Sequence, residues 1–152
     1  MLFNILITDD NLIHQISVKY CIEEFNYNPL VAFNGAEAID IIKSKNVDLI
    51  ILDLQMPVMD GFEFLDWLKD HEEYSNIPVV VYSGMADTDT VEQVLQYNVF
   101  GYYFKPITQI DQLLFSNAIK SALNFRKNTV ELAQANKIID NFINKKKANP
   151  FE

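Results

Sequence analysis

Residues 51–61 read ILDLQMPVMDG. An apolar run that starts near Val47 ends in one carboxylate, Asp53, and the chain then turns through Met56-Pro57 and Asp60-Gly61. The run has strand length, and its last residues lack polar alternation. A strand that is apolar on both faces is buried on both faces, as in a parallel sheet covered by helices. Asp60-Gly61 reads as turn and helix-start chemistry, and Met56-Pro57 shapes the loop before it.

The same pattern repeats outward. Strand-like runs are expected at Leu2–Thr8, Leu30–Phe33, Val47–Leu52, Ile77–Tyr82 and Val99–Phe104, rich in Val, Ile, Phe and Tyr. Helical spacing separates them. Residues 11–25 put Val18, Cys21, Ile22 and Phe25 on one face; residues 35–44 carry Ala36, Ile39 and Ile42. Residues 61–71 carry Phe64, Leu65 and Leu68, and residues 87–97 carry Val91, Val94 and Leu95 after the helix start Asp87-Thr88-Asp89. A last helix is expected from about Thr108. Five strands alternating with five helices predict a doubly wound α/β sheet. Right-handed crossovers bring every strand's carboxyl end to one edge, where such sheets bind ligands.

That edge is charged. Strand one ends in Asp9-Asp10, strand three in Asp53, strand four in Ser83-Gly84 and strand five in Lys105-Pro106. Two like charges 4 Å apart repel by roughly 4 kcal/mol at an effective dielectric near 20. Three clustered acids therefore call for a hard divalent cation with oxygen ligands, and Mg²⁺ fits best. A carboxylate beside Mg²⁺, a lysine and a hydroxyl can attack phosphorus and form an aspartyl phosphate.

The chain resembles the receiver domain of two-component response regulators over about residues 2 to 125. The likeness rests on "ITDDN", "ILDLQMPVMDG", "VVVYSG" and "GYYFKPI" in that order. It implies a flavodoxin-like five-stranded parallel sheet in the order 2-1-3-4-5. It further implies that Asp53 is the phosphoacceptor, that Asp10 binds Mg²⁺ directly and Asp9 mainly through water, and that the backbone carbonyl of Gln55 completes the metal ligands. Ser83 and Lys105 would contact the phosphoryl group, Tyr102 would be the aromatic switch, Pro106 would follow a cis peptide bond, and Gly84 would leave the phosphoryl group room. The phosphodonor implied is a histidine kinase or a histidine phosphotransfer protein. His14, one helical turn after Asp10, and His71, near a helix end, read as surface or capping residues.

Composition narrows the alternatives. A chain of 152 residues matches one domain, and 49 % hydrophobic content supplies a core. The formal net charge of −9 disfavours nucleic acid as a direct partner. The lone Cys21 allows no internal disulfide, in keeping with a cytoplasmic protein. The N-terminus reads as a strand rather than a signal peptide, and no run has the length of a membrane span. A dehalogenase-like phosphatase would need a second acid two residues after the nucleophile, where this chain has Gln55. A phosphate-independent binding module on the same fold would have no use for the acid–Ser–Lys set. The expectation is a switch rather than an enzyme.

Residues 1–125 are thus expected to form the receiver and 126–152 a helical extension. A heptad-like series runs Phe115, Ala118, Ala122, Phe125, Thr129, Leu132, Asn136, Ile139, Ile143. It predicts a parallel homodimer with Asn136 fixing register. The alternative is one amphipathic helix folded back on its own domain.

Overall fold

The structure, a computed structural model, describes residues 2–148. Its strands are β1 (Phe3–Thr8), β2 (Tyr27–Ala32), β3 (Leu49–Leu52), β4 (Val79–Ser83) and β5 (Gly101–Phe104). The helices are α1 (Leu12–Cys21), α2 (Gly35–Ser44), α3 (Gly61–Asp70), α4 (Thr88–Leu95) and α5 (Gln109–Ala148), with a 3-10 turn at Glu72–Tyr74. All strand pairs are parallel and the order is β2-β1-β3-β4-β5, as expected.

Alternate residues of the central strands feed two cores. Leu6, Ile50, Leu52, Val79 and Val81 face the layer containing Phe64, Leu65 and Val94 from α3 and α4, together with Ala38 and Ile42 from α2. Ile5, Ile7, Leu49, Ile51, Val80 and Tyr82 face Val18 of α1 and Phe115 and Ile119 of α5. This two-sided burial is why the runs lack polar alternation.

Most element bounds fall within a few residues of expectation. Two differ more: α1 stops at Cys21, with Ile22 as its C-cap and Phe25 beyond it, and β2 begins at Tyr27 and includes Pro29. Proline, which has no N–H to donate, would interrupt a central strand; β2 is an edge strand with one free side. Leu95 of α4 is 55 % exposed rather than buried, while Thr90 and Val94 face inward. Helix starts follow the capping chemistry: Asn11 accepts from the N–H groups of Ile13 and His14, and Asp60 with Glu63 makes a full capping box.

α5 is one continuous helix. Phe115, Ile119, Ala122 and Leu123 are buried in the body, so the first half of the heptad series serves the receiver's own core. Every residue from Glu131 to Ala148 is exposed, so the helix does not fold back. The exposed apolar residues include Ile138 and Phe142 besides Leu132, Ile139 and Ile143, which makes a wider face than the expected seam. Residues 149–152 of the expected extension lie outside the described residues. Among the described residues no helix is long and apolar enough to cross a membrane.

Candidate functional site at the carboxyl edge of the sheet

Asp9, Asp53 and Lys105 are each clamped by the carbonyl that ends a neighbouring strand. The N–H of Asp9 donates to Ala32, that of Asp53 to Thr8, and that of Lys105 to Ser83. These residues therefore inherit the rigidity of the ladder. Gly61 closes the loop behind Asp53: a Cβ there would sit 2.6 Å from the Asp53 carbonyl oxygen and 2.7 Å from Leu54 Cα. That close approach explains the Asp-Gly pair of the opening stretch.

Lys105 is the centre of the site. Its Nζ lies 2.6 Å from Asp9 Oδ2 and 3.3 Å from Asp53 Oδ2, with its side chain only 9 % exposed. It also lies 5.3 Å from the centroid of the Tyr82 ring. Asp53 Oδ1 accepts from the N–H of Leu54 at 2.8 Å, and the N–H of Gln55 also bonds the carboxylate. Burial pushes the Asp53 carboxyl above its ordinary range; Lys105 pulls it down and Asp9 pushes it up again. Net, burial leaves the ionised form of Asp53 disfavoured.

Asp9 and Asp53 are buried, whereas Asp10 is exposed at the rim. Carboxylate oxygens of Asp9, Asp10 and Asp53 come within 4.8 Å of one another. Three acids at that spacing, one of them held at a raised pKa, fit a hard divalent cation. Gln55 is exposed two residues beyond Asp53.

The other face of the site is hydroxyl and aromatic. Ser83 is fully buried, and its Oγ accepts from the Met85 N–H at 3.3 Å. Nothing lies within 4 Å of where a Cβ would sit on Gly84, so open space adjoins Ser83. The Tyr102 hydroxyl donates to the Met85 carbonyl at 2.6 Å, which ties β5 to the β4–α4 loop. Burial raises the Tyr102 phenol, and a hydrogen bond with Ser83 partly offsets that. The Lys105-Pro106 peptide is cis.

Two residues of α1 join the site unforeseen. His14 Nδ1 lies 2.9 Å from Lys105 Nζ and 3.4 Å from Asp9 Oδ1. Gln15, buried, donates from Nε2 to the Asp9 carbonyl at 2.7 Å. His14 is therefore no mere surface residue. His71 does behave as a helix-end residue, with Nδ1 2.7 Å from the Trp67 carbonyl and its ring stacked on Trp67.

The model of the response regulator receiver domain matches residues 5–119. The chain belongs to the receiver domain family. It is 32 % identical over 105 residues to the polar-differentiation response regulator DivK of Brucella anthropi, covering 69 % of this chain and 85 % of that one. Among solved structures it is similar to the receiver domain of a signal transduction histidine kinase from Syntrophus aciditrophicus, with 29 % identity, a TM-score of 0.71 and coverage of 80 % and 90 % of the two chains. A CheY-like receiver domain protein from Methanospirillum hungatei gives 26 % identity, a TM-score of 0.71 and coverage of 85 % and 99 %. This receiver is a phosphoacceptor module of two-component signalling, a class that in general acts as switches rather than turnover enzymes.

Proposed function

We propose that Asp53 accepts the phosphoryl group and that the receiver signals through the β4–α4 and β5 face. The observation that carries this reading is Lys105 Nζ set between Asp9 and Asp53 at 2.6 and 3.3 Å, with the buried hydroxyl of Ser83 beside open space. An Asp53 carboxylate oxygen attacks the phosphorus of a phosphohistidine. The new P–O bond forms as the donor's P–N bond breaks, and the electron pair of that bond stays on the donor's ring nitrogen. Lys105 donates to a phosphoryl oxygen and balances its charge, and Ser83 donates to another.

Asp9, Asp10, Asp53 and the backbone carbonyl of Gln55 would hold Mg²⁺. Bound there, the ion would neutralise the acids and the charge on the phosphoryl oxygens. Drawing Ser83 toward the phosphoryl group loosens its bond from the Met85 N–H, and Met85 is also the residue that anchors Tyr102. The charge event is thereby coupled to the position of the β4–α4 loop.

The donor is a histidine kinase or a histidine phosphotransfer protein in the cytoplasm. Support for its docking site comes from α1, which starts at the rim and exposes Leu12, Ile13, Ile16 and Tyr20 at helical spacing along its length. The receiver body ends near residue 125, and the extension pairs two copies of the chain. Neither nucleic acid nor membrane is a direct partner, and the acid–Ser–Lys set disfavours a phosphate-independent module.

Incubation with acetyl phosphate and Mg²⁺, followed by intact-mass measurement, tests the reading. The expected result is one HPO₃ added per chain, absent in Asp53→Asn and in EDTA. A wild type that gains nothing overturns it, as does unlimited turnover of phosphate esters.

A further inference from the structure

We propose that His14 is a positioning residue for Lys105, holding the ammonium so that one N–H is aimed at the phosphoryl position on Asp53. The proposal rests on the reading of Asp53 as the phosphoacceptor and adds a residue to that machinery. An ammonium has three donors and no acceptor. Asp9 Oδ2 takes one at 2.6 Å and His14 Nδ1 stands at 2.9 Å for a second. With two hydrogens of a tetrahedral group fixed, the third has one direction left, and Asp53 Oδ2 stands 3.3 Å from the same nitrogen.

The tautomer follows from the same geometry. Because Lys105 can only donate, Nδ1 must accept, and the ring proton sits on Nε2. The longer contact from Nδ1 to Asp9 Oδ1, at 3.4 Å, cannot then be a hydrogen bond; Asp9 Oδ1 is instead taken by the Asn11 N–H at 2.9 Å. His14 is itself held by the start of α1, where its N–H reaches the Asn11 cap at 3.4 Å. A misdirected lysine would leave the charge that develops on the phosphoryl oxygens less well met, so the cost falls on the rate of phosphorylation.

Two substitutions separate positioning from other roles. His14→Leu keeps a helix-forming side chain but removes the acceptor. His14→Asn restores an acceptor, because the amide Oδ1 reaches about where Nδ1 stands. With acetyl phosphate and Mg²⁺, His14→Leu should slow formation of the Asp53 adduct about tenfold, and His14→Asn should recover to within about threefold of wild type. The Lys105 ammonium should show a slowly exchanging ¹H–¹⁵N signal in metal-free wild type and His14→Asn, and lose it in His14→Leu.

Equal rates for His14→Leu and wild type overturn the proposal. So does equal loss in both variants, which would mean that the imidazole touches the donor directly. A wild type with no adduct is a failure of the Asp53 reading instead, and the ammonium signal then still decides whether His14 holds Lys105.

Discussion

Phe115 and Leu132 lie on the same helix, yet Phe115 is fully buried and Leu132 is 63 % exposed. The first half of α5 packs its apolar face on β4 and β5, with the Phe115 ring 5.7 Å from Tyr82 and 5.1 Å from Tyr103. The second half carries Leu132, Ile138, Ile139, Phe142 and Ile143 into solvent. Helical periodicity is continuous across the join, but the supply of partners is not. The body is specified by contacts it makes with itself; the tail carries an apolar face that the rest of the described chain does not cover.

The sharpest way to break that contrast is to truncate one side chain in each half. Phe115→Ala should cost the body about 3–5 kcal/mol, through lost burial and a residual cavity. Leu132→Ala, in dilute protein, should change stability by less than about 0.5 kcal/mol, as expected of an exposed position. Urea unfolding at low concentration measures both. Comparable losses would mean that the tail contributes to the body's stability after all.

A smaller effect sharpens the contrast from the side of the site. The two cores of the body bury apolar groups against one another without conflict, but at the rim the body buries an acid whose ionisation is disfavoured. Below the ordinary pKa of 3.8, Asp53 is protonated in both folded and unfolded chains and contributes nothing. As pH rises from there through the raised folded value, the unfolded chain loses the proton first, and the fold loses stability. Asparagine does not titrate. Asp53→Asn should therefore stabilise the metal-free protein near neutrality by about 1 kcal/mol, in the usual range for relief of one unfavourable charge. The advantage should shrink toward pH 4, and saturating Mg²⁺ should narrow it. Melting curves with EDTA across that pH range check the sign; a metal-free Asp53→Asn that melts lower than wild type at pH 7 would contradict it.

Much of the site could be read from strand ends alone. Asp9, Asp53, Ser83 and Lys105 each end or follow an apolar run, and a parallel sheet gathers such ends without any knowledge of side-chain contacts. His14 and Gln15 were not legible, because their approach depends on how α1 is rotated about its axis. The one available signal was that His14 lies one helical turn beyond Asp10. The start of β2 was hidden by Pro29, whose meaning changes once the strand is known to lie at an edge. For the tail, spacing located an apolar stripe but not where the body stops using it. Phe115 and Ala122 fit the heptad series as well as Ile139 does, and only packing separates them.

The smallest expected effect on the body comes from charging the tail. In Leu132→Glu with Ile139→Glu, both new carboxylates fall on exposed positions, so dilute stability and adduct formation on Asp53 should match wild type. What should change is association. A helix extending this far beyond its domain is marginal in water unless its apolar face is covered, and a second copy offers an identical face in register. In a parallel pair Asn136 meets its two-fold mate and disfavours staggered arrangements. Ile138 and Phe142 widen the face beyond a strict two-position seam, and the Lys146 ammonium stands over the Phe142 ring at 5.2 Å. Like charges placed opposite each other at 132 and 139 would break such a pair. Sedimentation at high micromolar concentration should find a dimer for wild type and a monomer for the double variant. A monomeric wild type would assign the exposed face to a different partner and remove the homodimer, while leaving the body, its rim and Asp53 untouched.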